Sequence, residues 1–304
     1  NGHVLTTDGS GNISWQSVAA AAGGVTCSAT GNTYAGDDAA QSITSAATYN
    51  TAFGNCSLYS VTSGDNNSAF GYKSLAANTT ADDNTAVGTY ALCLTTTGAS
   101  NTAVGKSSVQ ANTTGSNNTG IGFRALEANT TAGQNTAVGR CALPANTTGS
   151  NNTAIGNSTL KSNTTGAYNT ASGGYSLRDN TTSSYNTAYG YGSLLANTGC
   201  NNTAVGAQAL CSNTSGQLNA AFGYNALGSS TTSSYNAAFG TRALQSNTTG
   251  NRGTASGYRA LAVNSTGSCN TATGSYTLAQ NTTASANTAV GASALYSNTT
   301  APGN

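Results

Sequence analysis

The sequence predicts an all-β fold: a parallel β-roll or β-solenoid fibre built from about fifteen 17-residue repeats, with a triple β-spiral shaft as the alternative. Three observations predict it. The phrase "NTAVGRCALPANTTGSN" at 135–151 starts again at Asn152 as "NTAIGNSTLKSNTTGAY", and it recurs in phase along the chain. Its residues are those of short strands and polar turns. Only 6% of the residues are charged, against about 25% in ordinary globular proteins.

The glycine that closes "TAVG" marks the phase. It stands at Gly54, Gly71, Gly88, Gly105, Gly122, Gly139, Gly156, Gly173 and Gly190. One residue is then dropped in "NTGC", and the marker resumes at Gly206, Gly223, Gly240, Gly257, Gly274 and Gly291. Two residues before the marker stands Ala, except at Gly120; the residue just before it is usually apolar, from Phe53 to Val290. Four residues before it stands Asn, except at Gly253, and three after it a small residue. Four after it comes Leu, with Val109 the exception: the candidate core stack is Leu75, Leu92, Leu126, Leu143, Leu160, Leu177, Leu210, Leu227, Leu244, Leu261, Leu278 and Leu295. The array occupies 50–301, after a degenerate lead-in repeat at 32–49 and before a tail at 302–304.

An amphipathic helix needs a longer run of apolar residues at helical spacing, and here Gly and "NTTG" cut every run short. Thr and Val favour half-buried pleated surface; Asn and Gly favour turns. Each repeat therefore reads as a strand "NTAV", a bend at the marker, a second short strand around "AL", and a polar turn. The alanine-rich "SVAAAAGG" at 17–24 is the one helical hint. A unit this small buries no core alone, so copies must stack, with Asn at a fixed position forming a ladder from coil to coil. Stacking also accounts for the missing charges, because like charges on adjacent coils would repel.

Composition excludes several functions. Net charge is only +1, too little for an electrostatic footprint on nucleic acid or an anionic membrane, and no apolar run is long enough to span a bilayer. There is no Met, so the chain reads as a processed product or a piece of a longer one. Seven cysteines without a CxxC pair, and a single histidine, His3, make no zinc site; small buried hydrophobes is the favoured reading of the thiols. Asp37–Asp38, Asp65 and Asp82–Asp83 group carboxylates that would suit calcium, but solvated turns are the favoured reading. No nucleophile–base pair is apparent, so no catalytic, cofactor or metal residue is expected. Two sets of surface residues remain. Exposed Tyr168, Tyr185 and Tyr235 are candidates for stacking on sugar rings. The "NTT" turn makes sequons, so Asn78, Asn112, Asn129, Asn146, Asn163, Asn180, Asn247, Asn281 and Asn298 are candidate glycosylation sites.

"NNTAVG" at 201–206 and "NNTAIG" at 151–156 resemble the phrase repeated in the heads of trimeric autotransporter adhesins, and the whole array is similar to those of phage tail fibres and large bacterial surface proteins. The head repeats are shorter; the extra residues here fall in the "NTTG" turn. "GHVLTTDGSGNISWQSV" at 2–18 looks like a connector of such fibres, which makes 1–31 a connector segment. The resemblance implies a homotrimer of side-by-side coils, outside the cell or on a virion. The expected role is structural: a tail-fibre shaft or an adhesin stalk or head, with itself and cell-surface glycans as partners. A self-assembling glycosylated fibril and an ice-binding Thr-rich solenoid are the alternatives.

Overall fold

The computed structural model describes residues 25–304, together with two antiparallel backbone strands, β1 (His3–Thr7) and β2 (Ile13–Ser17), in which His3 pairs with Ser17. Residues 18–24 of the alanine-rich stretch lie outside this description. From β3 (Thr26–Cys27) onward the chain is a single-column β-solenoid with no helix among the described residues.

One three-residue strand recurs in each coil, from β4 (Thr33–Ala35) to β19 (Thr288–Val290). Each pairs in parallel and in register with the next: Thr136 opposite Thr153, Ala137 opposite Ala154, Val138 opposite Ile155. Such pairing between consecutive repeats of one chain is that of a solenoid and leaves no place for a β-spiral. The sixteen strands extend roughly 70 Å at the ordinary interstrand spacing. The lead-in segment is already a coil, since β4 lies in register on β5 (Thr51–Phe53). Antiparallel β3 covers the outer edge of β4.

Columns of identical residues fill the interior. The Ala of each "TAV" strand is buried, and so are the leucines from Leu58 to Leu278, interrupted once by Val109. Leu295, in the last coil, is 40% exposed. Each buried leucine contributes roughly 1.5–3 kcal/mol of apolar transfer, realised only because the coils above and below supply the contacts.

The "AL" segment is not a second strand. Cys141 and Leu143 have φ of 52° and 51°, and the corresponding residues of every coil are likewise left-handed. This alternation turns successive peptides so that their amides serve both neighbouring coils. Gly139 N and Cys141 N donate to Ile121 O and Phe123 O in the preceding coil; Leu143 N donates to Thr159 O in the following one. At the marker itself only glycine fits: Gly139 has φ 134°, and a Cβ there would stand 2.6 Å from Gly156 O.

The two exceptions to the interior pattern are neighbours. A Cβ on Gly120 would meet Val109 Cγ2 at 2.5 Å and Ser108 Oγ at 2.6 Å, so the β-branched side chain fills the space a missing methyl leaves. Gly120→Ala is therefore expected to lower the melting temperature, by about 1–3 kcal/mol of overpacking. Adding Val109→Leu recreates the regular Ala–Leu pair and recovers most of the loss. Additive losses in the double variant would show that the two positions do not compensate.

The dropped residue is absorbed in the polar turn. Across it Thr187 still pairs with Thr203, while Asn197 Nδ2 reaches Gly199 O, two residues on instead of three.

Candidate functional site

Two asparagine ladders run along the interior. The first contains the Asn before each strand. Asn135 N and Nδ2 donate to Asn118 Oδ1 at 3.1 and 3.3 Å, Nδ2 also to Gly149 O at 3.0 Å, and Asn135 Oδ1 accepts from Asn152 N at 2.9 Å. Gly253 leaves one gap in this column, though its amide still donates to Asn236 Oδ1.

The second ladder is the sequon column, which corrects the glycosylation expectation. Asn78, Asn112, Asn129, Asn146, Asn163, Asn180, Asn247 and Asn281 are fully buried. Asn129 Nδ2, the atom a glycan would occupy, donates to Asn112 Oδ1 at 3.0 Å and Ala132 O at 2.9 Å. A sugar there would break both bonds and would have no space in the coil. Asn298, in the last coil, is partly exposed, with Nδ2 on Ala301 O. Where Ser230 stands in this column, Asn213 Oδ1 has no partner. The recurrence of "NTT" thus reflects a buried amide followed by surface threonines.

The three candidate tyrosines are exposed but form no continuous row. Tyr168 and Tyr185 stack on each other, with centroids 5.0 Å apart and planes 2° apart. Asn201 and Leu218 occupy the next two coils, and Tyr235 instead carries the Arg252 guanidinium at 5.9 Å.

The carboxylates serve the backbone. Asp65 Oδ1 accepts from Thr48 N at 2.7 Å and Asp82 Oδ1 from Asp65 N at 2.8 Å. Among the described residues no group of three His, Cys, Asp or Glu comes together to hold a metal ion. The seven cysteines are unpaired, and six are at least partly exposed, so the buried-hydrophobe reading holds only for Cys93, whose thiol burial pushes up. Among the described residues no helix is long and apolar enough to cross a membrane.

The strand face is the apolar surface of the rod. With Ala turned inward, the residues on either side of it point out. Thr forms one column, and Phe70, Val87, Val104, Ile121, Ile155, Tyr189, Phe222 and Phe239 dominate the other. Phe53–Phe70 and Phe222–Phe239 stack at 5.5 and 5.1 Å. Of the two large apolar positions in the repeat, leucine alone faces the core. An exposed apolar column of this length, interrupted only at Ser172, Ser256 and Thr273, is unusual for a chain that meets no partner.

Fold and surface together define a charge-poor parallel β-solenoid, laddered by asparagine inside and carrying an apolar strip outside. The chain matches no protein-family model, no curated protein and no solved structure.

Proposed function

We propose that the chain is a stiff structural fibre segment, working outside the cell or on a virion, that holds an attachment or anchoring part at a distance. The observation that carries this reading is the stack itself: coil is bonded to coil through backbone hydrogen bonds and through asparagine and leucine columns broken at only a few positions, so bending requires many bonds to yield at once. The chemistry is that of a spacer, and no enzymatic step is assigned to it. The partner of the strand face is a second and third copy of the same chain, packed as a homotrimer so that the Val, Ile and Phe columns meet. Attachment to cell-surface glycans is the accompanying role.

Light scattering and negative-stain imaging test this. The expected particle has three times the 29.8 kDa of one chain and is a straight rod of roughly 70 Å. Val104→Lys combined with Ile121→Lys places charges in the shared face and is expected to release single chains. A wild-type particle of one chain mass would refute the trimer, and a flexible particle would refute the spacer.

Ice binding is the second reading, favoured by one observation. Thr85, Thr102, Thr119, Thr136 and Thr153 form a regular column beside Val87, Val104, Ile121, Val138 and Ile155 on paired strands. The threonines of the "NTT" turn are less available, since Thr113 and Thr130 donate their hydroxyls to the next coil's carbonyl. Thermal hysteresis in dilute solution would support this reading over the spacer; normal freezing would remove it.

A further inference from the structure

Net charge conceals how the charges are arranged. Eight of the nine Lys and Arg residues, all but Arg252, fall between one and five residues after a marker glycine. Stacking therefore brings them to one side of the rod. Nine of the fifteen tyrosines fall in the same stretch, among them Tyr72, Tyr90, Tyr175, Tyr191, Tyr258 and Tyr276.

This side is grooved. Four depressions, of about 510, 440, 370 and 160 Å³, lie along it. Each is lined by residues two after the marker on one wall and five or six after it on the other, as with Arg124 and Cys141 against Ala128 and Pro144. They are segments of one furrow parallel to the rod axis. Tyrosines stand along this side in edge-to-face pairs with centroids 5.3 Å apart for Tyr72–Tyr90, 5.7 Å for Tyr175–Tyr191 and 5.2 Å for Tyr258–Tyr276, and Tyr175, Tyr191 and Tyr276 line depressions. Cations lie against these rings: Lys73 Nζ is 5.5 Å from the Tyr72 centroid and Arg259 Cζ 5.8 Å from that of Tyr258. Arg259 Nε is shielded from solvent and has no hydrogen-bond partner.

Along the middle of this side five successive coils carry one cation each, Lys106, Arg124, Arg140, Lys161 and Arg178, of which Arg124, Lys161 and Arg178 line a depression and Lys106 and Arg140 stand exposed on the same side. Glu127 pairs with Arg124 and Asp179 with Arg178, and the latter bond holds the Asp179 carboxyl below its usual range. Lys106, Arg140 and Lys161 form no ion pair among the described residues, although Lys161 lies near enough to Asp179 to help hold its carboxyl down. The spacing is therefore a positive charge every one or two coils, about 5–10 Å, with the amide side chains of Gln110 and Asn157 on the same side.

We propose that the furrow is a binding track for a linear acidic polysaccharide lying along the rod. A coil is about as tall as one pyranose unit, so carboxylates borne on sugars fall in step with the cations. Amide side chains between them meet sugar hydroxyls, and the free tyrosine faces take the apolar faces of the rings. Nucleic acid fits less well: its phosphates are denser than the unpaired cations, and each tyrosine pair already covers one ring face with a neighbour's edge.

The test is calorimetric titration of the whole chain with polygalacturonate oligomers, with neutral dextran and single-stranded oligothymidine as comparisons. Wild type is expected to bind polygalacturonate in preference to both, with affinity falling about tenfold between dilute and concentrated salt. The variant Lys106→Ser, Arg140→Ser, Lys161→Ser alters only exposed side chains, so it keeps its melting temperature and binds at least about tenfold more weakly. Arg252→Ser, off the furrow, stays within about twofold of wild type. Absence of polygalacturonate binding, equal affinity of the triple variant, equal weakening in Arg252→Ser, or tighter binding of oligothymidine would each overturn the proposal.

Discussion

Leu143→Asp is expected to melt the solenoid in two. Leu143 is fully buried between Leu126 and Leu160, and the aspartate would place an ionised carboxylate where only methyl groups and the Ala columns surround it. Leucine-to-alanine truncation at such sites already costs about 2–5 kcal/mol, and an unpaired buried charge adds several more. Because each coil contacts only its two neighbours, the damage stays local and divides the array into shorter stacks on either side. Hydrogen exchange should show protection lost around coil 139–155 first, with a marked drop in melting temperature. Leu295→Asp is the control: that leucine is 40% exposed and its substitution should cost under about 1 kcal/mol. Equal effects at the two positions would remove leucine from the core.

Asn135→Leu is expected to be nearly as damaging, although leucine has similar size and greater hydrophobicity. Asn118 Oδ1 keeps the backbone amide of residue 135 but loses Nδ2, Asn152 N and Nδ2 both lose Asn135 Oδ1 as acceptor, and Gly149 O keeps only Asn146 Nδ2. The orphaned Asn152 amide costs about 1–3 kcal/mol, and three further hydrogen bonds are lost with the side chain, so the total is expected to exceed the apolar gain. Denaturant unfolding measures it. A neutral or stabilising result would mean that the ladder is incidental and that the leucine column alone holds the coils together.

The stacking was legible because its signal is redundant: marker, Ala, Leu and Asn recur together, and only superposed coils give each a constant environment. The outward turn of Val138 and Phe222 was harder to read, since hydrophobicity alone does not say which side of a three-residue strand faces in. It follows from Ala137 and Ala221 taking the interior side, where adjoining walls leave room for one methyl. The sequon asparagines misled for a related reason: "NTT" looks like a solvated turn, yet Asn129 points inward to close it, and only Thr130 and Thr131 reach the surface. The left-handed residues also carry a signal in the sequence. Thr, Val and Ile are absent two after and five before each marker, at Cys141 and Asn151 for example, and β-branched side chains are the ones that tolerate positive φ least. Val109 is the lone β-branched residue in the leucine column, and Gly120 is the space that accommodates it.

The coil that lost one residue yet kept strand register bears on how such a chain changes over generations. Most junctions between neighbours use the same columns, so a recombination event that inserts or removes one regular repeat joins two surfaces that already match. The gene then behaves as an adjustable ruler: copy number sets the reach of the rod, and no compensating mutation is needed at the seam.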